Sequence, residues 1–235
     1  MKDFVSKVTF GFLMSQLFPG ATAVYAIGFI YFTWEKQQPN AFIGTADHVL
    51  RRWGAATTPQ AIFLVALCIA AGMFIHGLQW ATLGSLEHRG GGDLYRTPWY
   101  QQPVWKQILG GPWRILREFG EFLVLTSGIT QANMYESVTV IDSRLMPQFD
   151  FLGEFYLSVG QFFLHTAYAL MMLIGATASY ILAYGLTWRR LVVLAIAYGL
   201  TGLFFVLGRI QMCSLFDAER ALASRVVCCN DAALP

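Results

Sequence analysis

Six polar or ionisable side chains sit inside, or at the edge of, long apolar stretches of this sequence: His76, Gln79, Glu154, Gln161, His165 and Arg209. Such groups are costly in lipid and usually face a protein interior or water, so any chemistry in the apolar part of the chain is sought among them. With the N-terminus inside, His76 falls about seven residues from the inner end of its run and His165 about ten from the inner end of its own, a depth difference of about 5 Å. Two imidazoles at similar depth on neighbouring helices could ligate one haem iron axially, with haem b as the cofactor and His76 and His165 as the cofactor-binding residues. The pair carries no motif, and hydrogen-bonded interior histidines with structural or proton-handling roles are the commoner arrangement.

In the same orientation Glu154 and Arg209 fall near one membrane surface and could pair as a structural clamp. His48 and His88 read as solvated loop residues. The sequence has no GxSxG, P-loop, HExxH or Gly-rich dinucleotide fingerprint, so no catalytic residue is nominated and the expectation leans away from an enzyme. No cysteine falls in a CxxC or Cys/His spacing, and no metal site is expected. Cys68 and Cys213 read as packed thiols, and Cys228-Cys229 as part of a plain tail that could take a lipid or a disulfide.

A membrane is the setting in which these side chains must be positioned. Hydrophobic residues make up 56% of the 235, charged residues 13%, and the mean hydropathy is +0.49. An ordinary soluble domain carries about a quarter charged residues. A net charge of +2 with scattered basic residues does not suggest a nucleic-acid partner. The composition predicts an all-α integral membrane protein, a single membrane domain over 1–235 with four transmembrane helices, at about 8–33, 61–83, 155–186 and 191–210, each near the ~20 residues that a bilayer requires.

The first run is broken by Pro19-Gly20, followed by Ala21-Thr22-Ala23, which resembles a signal-peptide cleavage site. Apolar character continues to Trp34, so an uncleaved, kinked span is expected. Proline there removes one backbone donor, and a neighbour or water must satisfy the freed carbonyl. Small residues recur four apart at Ala66 and Ala70, Gly175 and Ser179, and Ala195 and Gly199, which permits close backbone approach between spans of one chain, the favoured reading, or between subunits. Thr187-Trp188-Arg189-Arg190 is so short that the third and fourth spans must form an antiparallel hairpin. Trp34, Trp80 and Trp188 read as headgroup anchors.

Between spans two and three lies an extramembrane segment, about 84–154. After Pro103, apolar residues near helical spacing alternate with Lys106, Arg114, Arg117 and Glu118. This predicts an interfacial amphipathic segment in the membrane plane, with a helix packed on the protein's own spans or on a partner as the alternative. Gly110-Gly111-Pro112 is expected to divide it into two short helices. Phe122 to Ile129 is too short to span and could be re-entrant or buried. Trp105, Arg114, Arg117, Glu154 and Arg209 are the interface candidates. The C-terminal tail, 211–235, reads as a mixed-polarity helix leaving the bilayer.

Counting basic residues on each side places both termini in the cytoplasm, although the long middle segment weakens the rule. The leading expectation is a non-enzymatic membrane subunit, a homo-oligomer or part of a hetero-complex, acting as a scaffold, pore or membrane-perturbing effector in the lipid bilayer. A haem-bearing electron-transfer subunit is the alternative, and a small transporter the third.

Overall fold

The computed structural model describes residues 11, 13–36, 48, 51–90, 102–125 and 158–231. Its principal elements are five α-helices: α1 (Phe18–Lys36), preceded by a π-helical turn at Leu13–Leu17, α2 (Thr58–Gly90), α3 (Val104–Leu125), α4 (Ser158–Tyr184) and α5 (Trp188–Asp231). Four stretches are long and apolar enough to cross a membrane, at Ser15–Trp34, Thr58–Gln79, Ser158–Tyr184 and Trp188–Met212. The four-span, all-helical reading therefore stands by length and composition, and α5 runs on without a break through much of the tail to Asp231.

Helix directions follow from the contacts. Ser15 meets His165 and Thr33 meets Tyr184, so α1 and α4 run parallel. Gly20 lies against Cys68 and Gly72 against Gln16, so α2 runs antiparallel to α1. Leu164 packs on Gly208 and Gly160 on Met212, which makes α4 and α5 the expected antiparallel hairpin. Its turn rests on Gly185, whose φ of 81° is readily adopted without a Cβ. The Gly185 N–H donates to Ile181 O at 2.8 Å, the closure expected at a helix C-terminus. Of the two arginines in this short connection, Arg189 is exposed. Arg190 is buried, donating to the terminal carbonyls of Tyr184 and Gly185 and stacking 4.8 Å over the Tyr180 ring.

The small-residue pairs are a correction. Ala66, Ala70, Gly175 and Ala195 are exposed, and a methyl group on Gly175 or Gly199 would meet nothing within 4 Å. The close backbone approaches fall instead at Gly20, Gly72 and Gly202, where any side chain would collide with a carbonyl of the facing helix. The physical reason is rotational phase: a four-residue repeat says which residues share a face, and only the bundle decides where that face points.

The middle helix is a second correction. α3 is one 22-residue helix with Pro112 inside it, not two short ones. The carbonyl that loses its helical donor to Pro112 is that of Ile108, four residues back. That oxygen lies against Gly202 of α5, close enough that only a glycine fits. The neighbour's backbone thus covers the gap left by the proline, and the helix continues through it. Leu109 meets Tyr198, Gly111 meets Gly202 and Glu118 meets Arg209, so α3 runs alongside α5 and in the same direction. These partners all belong to the Trp188–Met212 span. Of the two placements open to the segment, the structure displays a helix packed lengthwise on the protein's own spans.

Candidate functional site

Two buried polar centres hold the ionisable residues that the apolar runs contain. The first joins α1, α2 and α4. Ser15 lies in the π-helical turn that leads into α1, and Pro19, at the α-helical donor position for its carbonyl, brings no N–H to it. His165, fully buried on α4, directs Nδ1 at this oxygen. A carbonyl can only accept, so Nδ1 carries the proton, and in the neutral ring Nε2 presents a lone pair. His76 Nδ1 stands 3.3 Å from that Nε2, with the rings perpendicular at 89°, and donates to it. A directed chain therefore runs from His76 through His165 to the backbone of the π-helical turn before α1. Three buried or nearly buried glutamines, Gln16, Gln79 and Gln161, stand within one turn of Ser15, His76 and His165 on their own helices and widen this centre into a polar layer.

The two histidines meet at similar depth on neighbouring helices, as their positions in the runs imply. They meet in direct contact. Axial ligation would put an iron about 2 Å from each nitrogen, with the porphyrin plane between the rings. The arrangement described is that of a hydrogen-bonded pair, with no space between the rings for a macrocycle. Among the described residues no group of three or more His, Cys, Asp or Glu side chains is placed to hold a metal ion.

The second centre joins α3 to α5. Glu118 accepts from Arg209 Nη2 through one oxygen and from Arg114 Nε at 2.9 Å through the other. Glu118 and Arg209 are almost fully buried, and the Arg209 guanidinium also lies 5.1 Å over the Phe205 ring. Arg209 is thus committed to Glu118, while Glu154, its expected partner, lies outside the described residues. Sequence reasoning passed over Glu118 and Gln16. The first was announced by its spacing from Arg114, four residues along an amphipathic helix. The second sits beside Ser15, one turn before the proline in an otherwise apolar run.

Of the remaining interface candidates, Trp105 and Arg117 are exposed and Arg114 is half-buried against Glu118. α3 presents Trp105, Leu109, Trp113, Leu116 and Leu123 on its outward side, each more than half exposed. Gln107, Ile115 and Glu118 face inward. The helix is amphipathic with its apolar stripe turned away from the bundle, the reverse of a helix on a water-soluble core. No family model, curated protein or solved structure matches the chain.

Proposed function

We propose that the protein is a non-enzymatic membrane subunit that assembles within the bilayer, with a second copy or a partner, as a scaffold. The observation that carries this reading is the outward face of α3, a continuous row of tryptophan and leucine held at the level of a spanning helix. Two further features support it. The buried ionisable side chains Glu118, His165, Arg190 and Arg209 are all bonded within the chain, where they act as joints between helices. The small-residue pairs on α2, α4 and α5 lie on outward surfaces, where they allow close approach by another helix. In this reading both termini are cytoplasmic, and α3 is embedded beside the fourth span with Lys106 and Arg117 at the edge of its apolar row.

Native mass spectrometry from lipid nanodiscs tests the assembly. A mass of two or more chains is expected, reverting to one chain in Trp113→Arg, with helicity unchanged. A wild-type protein that is monomeric at every concentration would remove the reading. Planar-bilayer recording separates scaffold from pore: the scaffold passes no current, whereas steady unitary conductance would move the assignment to a pore.

A further inference from the structure

At the end of the bundle where Thr33 meets Tyr184, the start of α2 and the residues just before it enclose a cleft of about 780 Å³. Packing against α1 fixes its frame. Trp53 stands edge-on to Tyr25 at 6.0 Å, His48 edge-on to Phe32 at 4.9 Å, and the Arg52 guanidinium lies 5.8 Å over the same Phe32 ring. The cleft is lined by the polar side chains of Arg51, Arg52, His48 and Gln60 and by Phe63, Leu64 and Leu67 along α2. Among the described residues no carboxylate lines it. The first turn of α2 also borders it, adding the partial positive charge of a helix N-terminus.

Two guanidiniums together with bulky apolar side chains along one turn of the membrane-crossing stretch describe an amphiphile with an anionic head. Trp34 and Trp188, both exposed, lie at this same end of the bundle, where a headgroup region belongs. The volume lies within the range of small-molecule sites. The geometry points to a binding site for an anionic phospholipid, its phosphate held by Arg51 and Arg52 and its upper acyl chain laid along Phe63, Leu64 and Leu67. Neither the scaffold role nor the histidine centre is needed for this site.

Native mass spectrometry of the full chain released from detergent mixed with phosphatidylglycerol or phosphatidylcholine tests the site. Phosphatidylglycerol is expected to be retained at least about tenfold better, and the Arg51→Gln/Arg52→Gln protein to lose that preference. Arg189→Gln, which removes a charge at the same end of the bundle but outside the cleft, should keep it. Phe63→Ser should weaken retention of phosphatidylglycerol without touching a charge, and wild-type retention should fall as salt rises. Together these two keep the test decisive if the double variant fails to fold. Equal retention of the two lipids, or a folded double variant that behaves as wild type, would overturn the assignment. So would complete displacement of the lipid by millimolar inorganic phosphate, because a site for a bare anion gains nothing from the apolar wall.

Discussion

The α1–α4 crossing and the α3–α5 crossing handle the same defect in different ways. Each contains a proline that withholds an N–H: Pro112 within α3 from the carbonyl of Ile108 four residues earlier, and Pro19 from the π-helical turn that leads into α1. In the π-helical turn before α1 the carbonyl of Ser15 takes a side-chain N–H from His165, so a neutral imidazole serves this stretch of backbone. At α3 the orphaned oxygen of Ile108 faces the bare Cα of Gly202, at best a weak C–H donor, and the strong interaction is displaced two turns along to Glu118 and Arg209. Prolines in these helices therefore mark where a neighbour must come close. A polar neighbour repairs the backbone directly, whereas a glycine lets the helices touch and leaves an ion pair to hold them.

Removing the ion pair gives the largest expected effect. Arg209→Met leaves Glu118 with Arg114, whose side chain is 18% exposed, and Glu118→Gln removes the carboxylate that the two guanidiniums share. Breaking one side of a buried pair costs about 3–5 kcal/mol, whereas replacing both sides by apolar groups is often close to neutral. The double variant Glu118→Leu/Arg209→Met should thus be more stable than either single variant in thermal unfolding followed by circular dichroism in detergent. Costs that simply add would show that Glu118 and Arg209 do not act as a unit.

Next comes the glycine. Gly202→Ala drives a methyl group into the Ile108 carbonyl, a backbone atom that can yield only if α3 shifts, and overpacking of this kind costs about 1–3 kcal/mol. Gly199→Ala, three residues earlier on the same helix, meets nothing within 4 Å and should be neutral or stabilising. Equal melting temperatures for the two variants would mean that α3 does not lie on Gly202.

Much of this architecture was legible in the sequence because a bilayer is an undemanding solvent to read: length and apolarity alone locate the spans, and the short Thr187–Arg190 connection dictates the α4–α5 hairpin. Pro19 announced its own consequence, an orphaned carbonyl in need of a donor, and the two histidines announced a shared depth. What the chain did not disclose was rotational phase. Ala66 and Ala70 follow the small-residue rule as well as any packing face does, yet they point outward, while Gly72, one turn from a cysteine, carries a real contact. Gly110-Gly111-Pro112 reads locally as a break because local rules cannot include Gly202, ninety residues away in the sequence and adjacent in space. Glu118 was hidden for the same reason. It is an ordinary surface acid in an amphipathic pattern until the apolar side of that pattern turns out to face away from the bundle.

The smallest expected effect is also the most specific. His165→Leu removes the donor to Ser15 and should cost about 1–3 kcal/mol, the usual penalty for a buried acceptor left unmatched. Part of that cost belongs to His76, which loses the lone pair it donates to, and part to the orphaned carbonyl. Pro19→Ala separates the two, because an alanine at residue 19 offers an N–H and lets the π-helical turn before α1 close in α-helical register on the Ser15 carbonyl. In the Pro19→Ala background the His76 part of the penalty persists and the carbonyl part disappears. A double-mutant cycle on Pro19 and His165 should therefore show a coupling of about 1 kcal/mol, with His165→Leu less damaging when alanine is present. Strict additivity would mean that His165 does not compensate for the proline, and the parallel between the two crossings would fail at its better-bonded end.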